Sequence, residues 1–139
     1  MNIESAIQIA VAAHAGIKDK GGKPYILHPI KVMMRVETEE EQIVAILHDV
    51  VEDTDWTFDA LRNEGFSETV IEALETVTKQ SEDEDYEDFI KRSLRNDIGR
   101  KVKIADLREN LDVTRIGELS EKDIKRINKY KKALQTLKT

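Results

Sequence analysis

Apolar positions recur every three to four residues along most of the chain, the spacing of helices that bury one face. Ile3, Ile7, Ala10, Val11 and His14 form the first such stripe, and Gly16 follows where a helix can end. His14 is therefore predicted to face inward. The next stretch, IKDKGGKPY, has the Gly, Lys and Pro content of a loop. Pro29, directly after His28, suits the first position of a helix running through IKVMMRV, which puts His28 at a helix entrance.

In EEEQIVAILHDVVED, Ile43, Ile46, Leu47 and Val50 share one stripe. Glu39, Glu40 and Glu41 lie at its N-terminal end, where negative charge complements the helix dipole. Thr57 and Ser67 are predicted to cap the shorter helices FDALRNE and ETVIEALETVT, with Gly65 terminating the first of them. A further helix is predicted to start near Asp85. Six of the eight residues at 81–88 are acidic, and this run reads as solvated loop and helix N-terminus. In IGRKVKIADLRENL, Ile98, Val102, Ala105, Leu107 and Leu111 mark inward positions around Lys103 and Asp106. The last helix opens on a capping-box-like Ser120 and Asp123, with Ile124, Ile127, Tyr130, Leu134 and Leu137 on one stripe and a basic opposite face. No stretch alternates like a strand and no long-period repeat occurs, so the pattern predicts an all-α bundle of roughly seven or eight helices.

Composition narrows the function classes. At 139 residues with 40% hydrophobic content, the chain is predicted to form one domain, residues 1–139, around a single core. A net charge of -6 disfavours broad electrostatic binding to nucleic acid or anionic membranes, though it leaves room for a local basic pocket. The absence of cysteine excludes disulfides, thiolate metal sites and a cysteine nucleophile, and suits a reducing cytoplasm. The N-terminal apolar stretch is too short and too interrupted by polar residues to span a membrane. Assembly into a homo-oligomer is left open.

The chemistry concentrates at residues 48–53, HDVVED. On one helix, His48 and Glu52 would be neighbours, as would Asp49 and Asp53. One imidazole and three carboxylates beside an apolar core repel one another and are costly to desolvate, and a divalent cation relieves both. The competing reading makes the acids ordinary solvated residues after a helix and His48 a core histidine. Acidic side chains at a helix C-terminus oppose the dipole, which weighs against it. His28 in PYILHP and Asp106, an acid embedded among Val102, Ile104, Ala105 and Leu107, add to the case for a metal.

Taken in order, these H…HD…D positions resemble the HD-domain metal-dependent phosphohydrolases. The segments AHAG, GGKPYILHP, LHDVVEDT, LETVTK, VKIADLREN and RINKYKKAL make the resemblance narrower. They are similar to the hydrolase domain of the RelA/SpoT family and to its stand-alone small alarmone hydrolases of the Mesh1 type, from about His14 to Leu134. The resemblance implies an HD-type helical fold in which His28, His48, Asp49 and Asp106 hold one manganese ion. Glu52 and Asp53 would handle the attacking water and the leaving group. Two imidazoles and two carboxylates suit manganese, iron or zinc better than calcium.

The implied activity is removal of the 3′-pyrophosphate of ppGpp or pppGpp, with a small-molecule nucleotide as the partner. No synthesis of the alarmone is expected. Substrate contacts are expected from Lys18, Lys20, Lys23, Lys79, Asn110, Arg115 and Tyr130. The family commonly carries, after its AH motif, an Arg that packs against guanine. An ungapped alignment puts Ile17 and Asp19 at the Gln and Arg positions of that motif, and an aspartate cannot replace a stacking guanidinium. Base specificity is thereby left open. Another phosphorylated nucleotide or metabolite as substrate, a metal-bound regulatory module without turnover, and a structural bundle remain the alternatives.

Overall fold

Short polar side chains fix where most of the helices begin. Asn2, Thr38, Thr57, Ser67, Asp85 and Asn96 each accept a hydrogen bond from a backbone N–H in the first turn that follows. Ser120 and Asp123 do so reciprocally, each accepting from the other's backbone N–H. In the computed structural model, which describes residues 1–114 and 116–138, nine helical segments result. They are α1 (Ile3–Ala13), α2 (Leu27–Met33), α3 (Glu39–Leu47), α4 (Val50–Asp53), α5 (Phe58–Glu64), α6 (Glu68–Thr76), α7 (Tyr86–Leu94), α8 (Asp97–Asn110) and α9 (Glu121–Lys138). The described residues contain no strand; Lys18 and Pro24 meet in an isolated antiparallel bridge.

The count exceeds the predicted seven or eight partly because residues 43–53 do not run as one helix. The ladder breaks at His48 and Asp49, and α4 restarts at Val50 as a single turn. Pro29 is the third residue of α2 rather than its first, a place where its missing N–H still costs nothing, because first-turn donors have no intrahelical partner. Gly65 ends α5 as expected, at a φ of 104° that only glycine adopts freely.

α3 sits at the centre. Residues 43–47 are all buried, so the segment is apolar around its circumference, and it packs against α1, α2, α6 and α8. Burying each large aliphatic side chain there stabilises the fold by about 1.5–3 kcal/mol. A second, smaller cluster of Ile90, Leu107, Ala133 and Leu137 fastens α7 and α9 to α8. α9 enters the apolar cluster through Tyr130, Ala133, Leu134 and Leu137; Ile124, predicted to face inward, is 47% exposed. α8 lies against both α2 and α3, which brings its acid to their histidines. Its approach to α6 is close: a Cβ on Gly99 would stand 2.1 Å from Thr76 Oγ1. No helix among the described residues is long and apolar enough to cross a membrane.

Candidate functional site

Four side chains from three parts of the chain meet where α2, the break after α3, and α8 converge. His28 is the second residue of α2, His48 caps α3, Asp49 follows it, and Asp106 lies on α8. His28 Nε2 is 2.8 Å from Asp106 Oδ1, and His48 Nε2 is 3.1 Å from Asp49 Oδ2 and 3.5 Å from Asp106 Oδ1. His28, His48 and Asp49 each offer a ligand atom within 4.8 Å of the others. His48 Nδ1 lies 2.6 Å from the Ala45 carbonyl and donates to it, so Nε2 carries the free lone pair toward the carboxylates. That Nε2 is buried and makes no hydrogen bond of acceptable geometry. An orphaned imidazole nitrogen facing two carboxylates and a second imidazole is a donor set that fits a divalent cation of intermediate hardness.

Two further groups hold the carboxylates. The Tyr25 hydroxyl donates to Asp49 Oδ2, and Lys103 Nζ stands 2.9 Å from Asp106 Oδ2. Burial opposes ionisation of Asp49 and Asp106, but His48 beside the first and Lys103 with the two histidines beside the second outweigh it. Asp49 is held down at about 2 and Asp106 well below the usual carboxylate range. Burial likewise opposes charge on His48, and the two carboxylates reverse it, raising its pKa well above the ordinary value; a cation on Nε2 would take the place of the proton those carboxylates otherwise draw there.

Glu52 and Asp53 behave differently. Both line the same cavity as His28, His48, Asp49 and Asp106, a space of about 740 Å³. Partial burial first, and the neighbouring Asp49 charge second, raise Glu52 and push Asp53 up to about 6. Carboxyl groups whose pKa values are drawn toward neutrality beside carboxylates that stay ionised are the arrangement from which acid and base roles are assigned.

No family model matches the chain. Its curated relatives include the guanosine-3′,5′-bis(diphosphate) 3′-pyrophosphohydrolase of Aquifex aeolicus, 40% identical over 81 residues that span 55% of this chain and 12% of that protein. A putative chloroplastic GTP diphosphokinase of Oryza sativa is 42% identical over 84 residues, 57% of this chain and 9% of that protein. The chain thus spans about a tenth of the curated relatives it matches. Among solved structures, a metazoan ortholog of SpoT, described as hydrolysing ppGpp, superposes over 97% of this chain and 84% of its own, with a TM-score of 0.79 and 24% identity. The resemblance to RelA/SpoT hydrolases holds. The fold is the HD-type helical fold expected of it.

In this RelA/SpoT-like chain, His28, His48, Asp49 and Asp106 converge, and Glu52 and Asp53 lie beside them. They do not share one helix with His48, as the sequence suggested, because the ladder breaks at Asp49; the bond from the Asp53 N–H to the Asp49 carbonyl, 3.0 Å, keeps the turn together. Lys20, Lys23, Lys79, Asn110 and Tyr130 line the cavity. Lys18 does not; it is exposed, and its backbone pairs with Pro24. Arg115 lies outside the described residues. Asn110 Nδ2 is 3.3 Å from Asp106 Oδ1, so it braces the acid as well as facing the cavity.

Sequence reasoning missed Tyr25, Lys103, Lys129 and Arg126, all of which line the cavity. Lys103 was findable, because it precedes Asp106 by three residues on a helix. Asp19, the position opposite the family's Arg, accepts from the Gly21 and Lys23 N–H groups at 2.9 Å each and so folds its own loop.

Proposed function

We propose that this chain is a divalent-cation-dependent phosphohydrolase that removes the 3′-pyrophosphate from ppGpp or pppGpp. The observation that carries the reading is the convergence of His28, His48, Asp49 and Asp106 around the orphaned His48 Nε2, with Glu52 and Asp53 alongside. Two named similarities support the substrate: the Aquifex relative is a 3′-pyrophosphohydrolase of this nucleotide, and the metazoan SpoT ortholog hydrolyses it. A nucleotide substrate and a chain without cysteine support a cytoplasmic place of action.

His28, His48, Asp49 and Asp106 would hold the cation; the donors suit manganese, iron or zinc, and the resemblance to RelA/SpoT hydrolases favours manganese. A bound cation would supply charge stabilisation at the phosphoryl oxygens and a more acidic water. Tyr25 and Lys103 fix the two carboxylates. The reaction adds water to the phosphorus of the 3′-diphosphate and breaks its bond to the ribose 3′-oxygen. Glu52 accepts the proton of the attacking water, and Asp53, pushed up to about 6 by burial and the neighbouring Asp49 and Glu52 charges, delivers one to the departing 3′-oxygen. Lys79, Lys103, Arg126 and Lys129 give one wall of the cavity a positive field suited to phosphates.

Pyrophosphate release from ppGpp by purified protein with manganese tests the reading, with GTP, ATP and a 3′-phosphonucleotide alongside. Release from ppGpp, lost in Asp49→Ala and slowed about 100-fold in Glu52→Gln, is the expected result. The loop around Asp19 favours one second reading, the same chemistry on a nucleotide with a different base, because no guanidinium stands there to stack on guanine. Turnover of another substrate alone would select it, and metal binding without turnover of any would select a binding module.

A further inference from the structure

The connection between α6 and α7, residues 77–85, borders Glu52, and one side chain holds it. Arg92, on α7, places Nη2 2.7 and 2.8 Å from the two carboxylate oxygens of Glu84 and 3.1 Å from the Thr78 carbonyl. Its Nη1 donates to the Glu75 carbonyl. Glu84 in turn accepts from the Gln80 N–H at 2.9 Å, and the next residue, Ser93, donates from Oγ to the Thr76 carbonyl at 2.7 Å. Glu84, part of the acidic run expected to be solvated, is 11% exposed, and Arg92 is 19% exposed. A forked guanidinium with this many partners is a rigid tie, which a lysine could not reproduce.

The Thr78 carbonyl and the Lys79 N–H belong to one peptide unit, which is planar and trans, so the two groups point in opposite directions. Arg92 grips the carbonyl side. Glu52, Thr78 and Lys79 line one cavity of about 740 Å³, and the Lys79 N–H on the other side of that peptide favours the ionised Glu52 carboxylate. We propose that Arg92 is a positioning residue for Glu52, acting through the peptide unit shared by Thr78 and Lys79. This rests on the reading of Glu52 as a proton-handling group. Neither the sequence pattern nor the relatives' names assign Arg92 or Glu84 any part in the reaction.

The test uses the manganese-loaded protein, ppGpp, and the variants Arg92→Gln, Arg92→Lys and Glu84→Gln. Displacement of a catalytic group by about 1 Å costs on the order of 100-fold, so Arg92→Gln is expected to lower kcat about 10- to 100-fold and change KM less than about threefold. Arg92→Lys, which keeps the charge and loses the fork, is expected to recover only part of that rate. In a Glu52→Gln background, Arg92→Gln is expected to add no further loss, because the group it positions is gone. Hydrogen exchange at the Lys79 amide, read by NMR without substrate, is expected to quicken in Arg92→Gln. Glu84→Gln should act in the same direction with a smaller loss, and it decides the question if Arg92→Gln does not fold. A kcat within about threefold of wild type with an unchanged Lys79 amide overturns the proposal, as does a full additional loss in the Glu52→Gln background. If the wild-type protein leaves ppGpp intact, the functional reading fails, while Lys79 exchange still decides whether Arg92 holds that peptide.

Discussion

Tyr25→Phe removes one hydroxyl and leaves the ring in place. The ring stands between His14 and His28, at centroid distances of 5.1 and 5.9 Å, so its packing survives the substitution. What is lost is the hydrogen bond to Asp49. Hydrogen bonds to charged groups contribute about 1.5–3 kcal/mol. Asp49 keeps His48 at 3.1 Å and is 16% exposed at its side chain, so water and the imidazole offset part of the loss, and the lower end, about 1.5 kcal/mol, is expected. An unfolding entropy of about 2.1 cal/mol/K per residue over 139 residues is about 0.29 kcal/mol/K, which turns that loss into a fall in Tm of about 5 °C. Manganese affinity should fall about 10-fold, the lower end for loss of a group that orients a ligand. Calorimetric titration with manganese and a thermal melt without it measure the two effects. A lowered Tm with unchanged affinity would keep the hydrogen bond as a stabilising contact and remove its part in orienting a ligand. Neither effect would refute both the hydrogen bond and the assignment of Asp49 as a ligand.

Lys103→Met removes the ammonium that stands 2.9 Å from Asp106 Oδ2 and 4.8 Å from the Phe89 ring centroid, and breaking a buried pair should cost about 3 kcal/mol at pH 7, read as the shift in urea midpoint. Glu41 is buried, yet the Glu37 and Thr38 N–H groups and Lys101 together outweigh that burial and lower its pKa. Its stabilising contribution is therefore present above the ordinary glutamate pKa and lost as the pH falls through the lower folded value. Stability measured from pH 6 to pH 3 should fall less steeply in Glu41→Gln than in wild type, and parallel curves would remove Glu41 from the acid limb. Gly99→Ala drives a methyl to 2.1 Å from Thr76 Oγ1 and should destabilise by about 1–3 kcal/mol, much of it recovered in Gly99→Ala with Thr76→Ala; equal losses in the single and double variants would deny the contact.

What the sequence makes legible is what depends on neighbours within a turn or two. Thr57, Ser67 and Asp85 cap helices through bonds to residues three positions on, so their residue type alone marks the boundary. His28, His48, Asp49 and Asp106 stand out because imidazoles and carboxylates are out of place in apolar stripes. The break at Asp49 is invisible because Val50 stays in register with the stripe that precedes it. The acidic run misleads for a related reason: charge pattern alone does not show that Glu84 finds Arg92 eight residues on, or that this arginine reaches the carbonyls of Glu75 and Thr78, 17 and 14 residues back. Tyr25 acquires its partner 24 residues away, by the same kind of tertiary contact.

The pairing of His28 with Asp106 joins positions 78 apart in the chain. A loop of that length closes late, because its entropic cost falls due before the contacts that repay it. During folding, α1 to α3 can pack while the fourth donor, Asp106, is still far away, so a full set of donors exists only once α8 has docked. A cation held by all four would therefore slow unfolding and leave the rate of folding nearly unchanged, because it acts on contacts absent from the barrier. Dilution from denaturant with and without manganese would show this as a change in the unfolding arm of the chevron alone.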